Sequence, residues 1–348
     1  MAHTRSSLAQ LALALVLGCL TLPLLSAAPA GAASSADGSC QAVVLPVALT
    51  QGGHAGQSLA GTLCQPLTWG PGPHAVDVLS SGATYNRTYW DWPQDPSLYS
   101  YVDKTLLAGR ATFAYDRLGT GASSHPLSTS LTIPSDAYVL HQIITWLQGQ
   151  GYPRIDSIGH SLGSIFAIQE AATYHDVTLL VPTGLLHTPD PGYANLSTFL
   201  YPAVLDPAFA GSGLDLGYLT TIPGTRNVLH SSATDPAVIS YDEQHKDLVA
   251  STEFATAVST VDTLPPLNVS DSITAPVLLV TGEQDALLCV GRVPDCTDPA
   301  AVRASELPYY QSAPSLTVDM VPGAGHDLTA EPSADQTFAT INQWIGTH

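Results

Sequence analysis

The sequence predicts an α/β fold on a mainly parallel sheet, and three observations predict it. Short apolar runs of strand type alternate with longer helical runs. A Gly-x-Ser-x-Gly pentapeptide, Gly159-His160-Ser161-Leu162-Gly163, directly follows one strand run and directly precedes a helical one. An Asp and a His, Asp285 and His326, follow the ends of two later strand runs. Composition fits a globular chain: 45% of the 348 residues are hydrophobic, too many for disorder. The balance of 10 Lys+Arg against 29 Asp+Glu, a formal net charge of −19, leaves no basic face for phosphates and excludes nucleic acid as the expected partner.

In chain order, the first element is an export signal over residues 1–33. Arg5 gives the positive start, residues 8–25 are apolar, and Ala28-Pro29-Ala30 and Ala30-Gly31-Ala32 offer small-residue cleavage sites. A membrane-anchoring helix is the rival, opposed by Pro23 and by the lack of a positive flank after the run. A lipoprotein anchored at Cys19 is a weaker rival, because Val16-Leu17-Gly18-Cys19 fits a lipobox loosely. No later stretch approaches a spanning length, so no stable membrane insertion of the mature chain is expected, and a secreted protein is.

Next comes a hairpin, with strand runs at 43–49 and 58–63 around Gly52-Gly53. Outside the signal the cysteines are Cys40, Cys64, Cys289 and Cys296, which allow three pairings; local spacing favours Cys40–Cys64 across the hairpin and Cys289–Cys296 around a short loop. A cysteine zinc site lacks the C-x-x-C spacing it needs.

Six further strands are expected at 74–79, 111–115, 154–158, 177–181, 276–281 and 316–321. Val139, Leu140, Ile143, Ile144 and Leu147 recur at helical spacing after the cap region Ser135-Asp136, and Gly149 and Gly151 end that helix. Residues 189–270 break the alternation, are rich in Pro, Gly and Tyr, show no convincing buried strand, and read as an insertion over the sheet.

The pentapeptide carries the chemistry. Its glycines permit a strand-to-helix turn too tight for a Cβ at either flank, and the turn exposes Ser161. A serine hydroxyl is a weak nucleophile and needs a base, which in turn needs an orienting carboxylate. His326 is the expected base and Asp285 its acid; Asp190 is the reserve acid, ahead of Glu283 and Asp327.

With these residues in place, the chain resembles the α/β-hydrolase superfamily, of the single-domain esterase and lipase type, over nearly all of residues 43–348. The order Ser, Asp, His matches, and the run Asp116 to Ser123 resembles the family's D-x-x-G-x-G-x-S. The resemblance implies a mostly parallel eight-stranded sheet flanked by helices, in one domain of residues 34–348 with a cap inserted at about 189–270. It also implies an oxyanion hole of two backbone N–H groups, from Leu162 and from Ala83, with Thr84 as the neighbour one register away; here Ser81 stands where the family often has His.

The expected function is hydrolysis of carboxylic esters of neutral or apolar small molecules through an acyl-enzyme, with no metal or organic cofactor. Candidate lining residues are Tyr85, Tyr89, Trp90, Trp92, Tyr193, Phe199, Tyr201, Tyr218 and Tyr241, although packing of the insertion onto the sheet is the more economical role for most of them. Two alternatives stay open: an aminopeptidase in which Asp242, Glu243 or Glu253 binds a free amino terminus, and a non-catalytic binding protein on the same fold. The sequons at Asn86, Asn195 and Asn268 mark glycosylation sites only in a eukaryotic secretory route. Oligomeric state is not legible.

Overall fold

A computed structural model describes residues 34–35, 38–187 and 196–348. The expected signal, Cys19, Asp190 and Tyr193 lie outside the described residues.

The main sheet runs in the order β1-β2-β3-β5-β4-β6-β7-β11-β12, with β1 at Ser34–Ser35, β2 at Gly38–Val47, β3 at Gln57–Pro66, β4 at Ala75–Ser80 and β5 at Ala111–Tyr115. It continues with β6 at Arg154–His160, β7 at Leu179–Thr183, β11 at Val277–Gly282 and β12 at Leu316–Val321. From β5 through β12 every neighbouring pair is parallel, while β1, β2 and β3 add an antiparallel edge. This is the expected eight-stranded sheet with a two-residue strand added at its rim. Every residue of β4, β5, β7 and β11 is buried, so helices cover both faces, as a parallel sheet requires.

The strands at 111–115 and 316–321 fall where the sequence puts them, the other four of that set move by one or two residues, and the hairpin strands run longer than expected, β2 starting five residues before 43 and β3 ending three after 63. Cys40 and Cys64 are direct register partners across β2 and β3, and both expected disulfides are formed.

Helices follow from local signals. The helices α1 (Pro96–Tyr99) and α2 (Tyr101–Leu107) precede β5, and α3 spans Ile133–Gly149. The expected cap of α3 at Ser135-Asp136 is corrected: Thr132 caps it, and Ser135 is the reciprocal partner three residues on. Pro134 is tolerated in that first turn because its missing N–H has no intrahelical acceptor there. The helix α4 (Leu162–Tyr174) begins directly at the pentapeptide; its buried Ile165 and Phe166 each contribute about 2–3 kcal/mol on leaving water.

Residues 189–270 were expected to hold no buried strand, and this too is corrected. They contain a second sheet of order β10-β9-β8, formed by β8 (Leu200–Pro202), β9 (Tyr218–Thr221) and β10 (Val249–Ala250), with Tyr218, Thr220, Val249 and Ala250 buried. Strands of two to four residues are too short for alternation to register in the sequence. The helices α5 (Pro236–Gln244) and α6 (Ser251–Asp262) flank this sheet; α7 (Pro299–Glu306) and α8 (Ala334–Thr347) complete the main layer. Two sequon asparagines are tied internally: Asn268 is buried and donates to the Thr263 carbonyl at 2.7 Å, and Asn86 donates to Asp247 at 2.9 Å.

Candidate active site

Ser161 occupies the turn between β6 and α4 with φ 52° and ψ −118°, a conformation few non-glycine residues adopt and one that costs about 1–3 kcal/mol. Its N–H donates to the Thr183 carbonyl at the end of β7, at 2.8 Å, which pins the turn to the sheet. The flanking glycines are steric necessities. A Cβ on Gly159 would stand 2.6 Å from the Ser164 backbone, and one on Gly163 would strike the Ser80 carbonyl.

Asp285 and His326 follow β11 and β12, and their loops lie against each other. Gln284 N–H donates to the Ala324 carbonyl at 2.9 Å, and a Cβ on Gly282 would collide with the Ala324 and Gly325 carbonyls. His326 Nδ1 lies 2.7 Å from Asp285 Oδ2. The other oxygen of Asp285 accepts from Leu287 N–H at 2.8 Å and Leu288 N–H at 3.1 Å. With Nδ1 facing a carboxylate, Nδ1 carries the hydrogen and Nε2 is left to accept a proton. Burial opposes protonation of His326, but the charges of Asp285 and Asp327 outweigh it and raise its pKa above the ordinary histidine value.

Ser161 and His326 line one and the same cavity. Apolar side chains dominate its wall, with Phe199, Leu200, Val228, Leu229, Phe254 and Leu287 on it. Ala83 also lines it. Among the described residues no acceptor reaches the N–H of Ala83 or of Leu162, whereas the N–H of Thr84 is engaged by the Leu248 carbonyl at 3.2 Å. Thr84 has φ 61°, and Arg226 holds it through a bond to its hydroxyl at 2.8 Å. Of the aromatic candidates among the described residues, only Tyr85 and Phe199 line the cavity; Tyr89, Trp90, Trp92 and Tyr218 are packed in the core.

Several residues at this site escaped the sequence reading. Arg117, within the D-x-x-G-x-G-x-S run, is buried, pairs with Glu253 and donates to the carbonyls of Gly82 and Leu248 at 3.2 Å each. It therefore fixes the peptide just before Ala83. Glu331 is buried and accepts from Gly325 N–H at 3.1 Å, Ser231 N–H at 2.7 Å and the Thr234 hydroxyl at 2.8 Å, which ties the His326 loop to residues 231–234. Asp327 accepts from His160 and Tyr85, not from His326. Despite burial, the neighbouring His160, His230 and His326 hold its carboxyl well below the usual range. His160 itself is pushed down to about 4 by burial.

The sequence profile of the alpha/beta hydrolase family matches residues 78–340, and the chain belongs to that family. No curated protein sequence matches it. Among solved structures it is similar to an esterase from Thermogutta terrifontis, at 18% identity and TM-score 0.58, over 88% of this chain and 98% of that one. It is also similar to a soluble variant of the monoglyceride lipase from Saccharomyces cerevisiae, at 17% identity and TM-score 0.59, over 84% of this chain and 92% of that one. At these identities the likeness is one of fold.

Proposed function

We propose that the chain is an exported serine hydrolase that cleaves carboxylic esters of neutral or apolar small molecules, with residues 189–270 as a cap over the cavity. The observation that carries this reading is Ser161, strained at a glycine-flanked turn, opening on the same cavity as a histidine whose Nδ1 lies 2.7 Å from a buried carboxylate. Ser161 Oγ attacks the ester carbonyl carbon as His326 Nε2 takes its proton. The oxyanion forms toward the N–H groups of Leu162 and Ala83, and the helix that starts at Leu162 adds its positive end. The His326 proton passes to the departing alkoxide as the C–O bond breaks and the acyl-enzyme forms. Water, deprotonated by His326, then releases the acid and restores Ser161. The titles of the two similar structures, an esterase and a monoglyceride lipase, agree with ester chemistry.

The apolar wall supports an uncharged substrate. The aminopeptidase alternative loses support, because its carboxylates are already paired: Asp242 with Arg226 at 2.7 Å, Glu253 with Arg117 and Glu243 with Lys246 at 3.0 Å. Export is supported by the two disulfides.

The test is labelling by a fluorophosphonate together with burst kinetics on p-nitrophenyl esters, with aminoacyl p-nitroanilides as the competing substrates. Ser161→Ala removes label and burst while the protein stays folded. Retained turnover in that variant refutes the mechanism, and a wild type that takes no label is the non-catalytic binding protein.

A further inference from the structure

We infer that His141, Glu170 and Asp176 form a site for one divalent metal ion of the zinc type, remote from the cavity. His141 projects from α3, Glu170 from α4, and Asp176 lies just beyond the end of α4. Their spacing in the chain announces nothing; only the packing of α3 on α4 brings them together. His141 Nδ1 stands 2.7 Å from Asp176 Oδ2 and 3.6 Å from Glu170 Oε1, and one ligand atom of each residue lies within 4.8 Å of the other two. Zinc holds nitrogen and carboxylate oxygen at about 2.0–2.2 Å, so the corners of its tetrahedron are about 3.3 Å apart. The two separations that His141 makes bracket that value, and the third edge lies within 4.8 Å.

A second observation points to a ligand. Glu170 is fully buried, yet among the described residues no donor reaches either of its oxygens, and Asp176 Oδ1 also lacks one. A buried carboxyl group without a donor is costly. The only basic group among the described residues that forms an ion pair with Glu170 is the His141 ring, which Asp176 already engages at a shorter distance. A dication satisfies both carboxylates at once.

The ring is positioned for ligation. It stacks on Tyr174 with centroids 3.9 Å apart and planes 12° from parallel, which fixes its orientation. The side chains of His141 and Asp176 are 29% and 17% exposed, so an ion enters from solvent and water takes the fourth position. Imidazole with two carboxylates suits zinc over calcium or magnesium, which prefer oxygen alone.

Glu170 is nine residues beyond Ser161, about 13 Å along the helix axis, and none of the three ligands lines the cavity. The ion therefore braces α3 against the far end of α4 and takes no part in the hydrolysis.

The mature protein, stripped with a chelator, is titrated with Zn²⁺ by calorimetry and with Co²⁺ by visible absorption. The expected result is one Zn²⁺ per chain, tetrahedral d–d bands with Co²⁺, and a Tm raised by about 5 °C when free metal is a hundredfold above Kd. His141→Ala and Glu170→Gln each abolish all three signals while ester turnover stays within twofold. Should Glu170→Gln fail to fold, His141→Ala, at a partly exposed position, carries the test alone. A wild type without bound zinc overturns the inference, as does binding that survives in the variants. A Glu170→Gln protein more stable than a metal-insensitive wild type also overturns it, and identifies instead two carboxyl groups sharing a proton.

Discussion

His160 Nε2 donates to Asp327 Oδ1 at 3.2 Å, so the residue before Ser161 and the residue after His326 hold each other. The bond couples the turn after β6 to the loop after β12 without occupying the side chain of Ser161 or of His326. The same carboxylate accepts from the Tyr85 hydroxyl and faces His230, which lies 3.0 Å from Asp242. Through this chain of contacts, residues 226–242 reach the turn that carries Ser161.

The Asp327 charge bears on pH dependence. His326 acts as a base only when neutral, and its pKa is raised; kcat/KM on p-nitrophenyl acetate therefore rises with pH through a value above 6.5. Asp327→Asn removes one of the charges that favour the imidazolium, so this acid limb moves to lower pH. A limb that stays fixed or moves upward contradicts the assignment.

Asp285→Asn keeps the side-chain shape but loses the charge and the preference for hydrogen on Nδ1. A fall in kcat of about 10⁴-fold, with Tm nearly unchanged, is the expected outcome. A loss smaller than about tenfold by steady-state kinetics removes Asp285 from the orienting role.

Arg117 and Glu253 are both buried. Arg117→Met strands the carboxylate and costs about 3–5 kcal/mol in urea unfolding, and adding Glu253→Gln recovers part of that loss. Both variants also turn over esters more slowly, because the Gly82 carbonyl next to Ala83 is released. Strictly additive stability losses show that the pair is not coupled.

The two disulfides have separable effects. By loop length, Cys289–Cys296, seven residues apart, contributes about 2.5 kcal/mol, and Cys40–Cys64, 24 residues apart, about 3.5 kcal/mol. The smaller loop adjoins Asp285, whose backbone carbonyl accepts from Cys289 N–H at 2.8 Å. Serine replacement of Cys289 and Cys296 thus lowers kcat in a protein still folded at 25 °C. Replacement of Cys40 and Cys64 lowers Tm further and leaves kcat intact. Equal effects of the two pairs on kcat defeat this division.

The sheet was legible because buried parallel strands are dense apolar runs, and the gathering of Ser161, Asp285 and His326 at one sheet edge was legible because glycine-rich turns mark the strand ends beside them. The strand at Leu179–Thr183 was misplaced by two residues because its apolar run starts early, at Val177. Arg117 and Glu331 were not legible, and Asp327 was read only as a reserve acid for His326, since each finds partners 100 to 242 residues away, and no local pattern records such pairings. The strands β8 to β10 escaped for want of length.

The partnership of Cys40 and Cys64 also bears on how the sheet ends. Along β2 the exposed Val44 adjoins the buried Leu45, so a slip of one residue against β3 would turn Leu45 outward and Val44 inward. The outer hairpin borders β1, which pairs with Gly38 and Ser39, and among the described residues no further strand covers the rest of β2. A covalent pin at Cys40 forbids the slip, and with it the greasy, sliding border on which neighbouring molecules would stack.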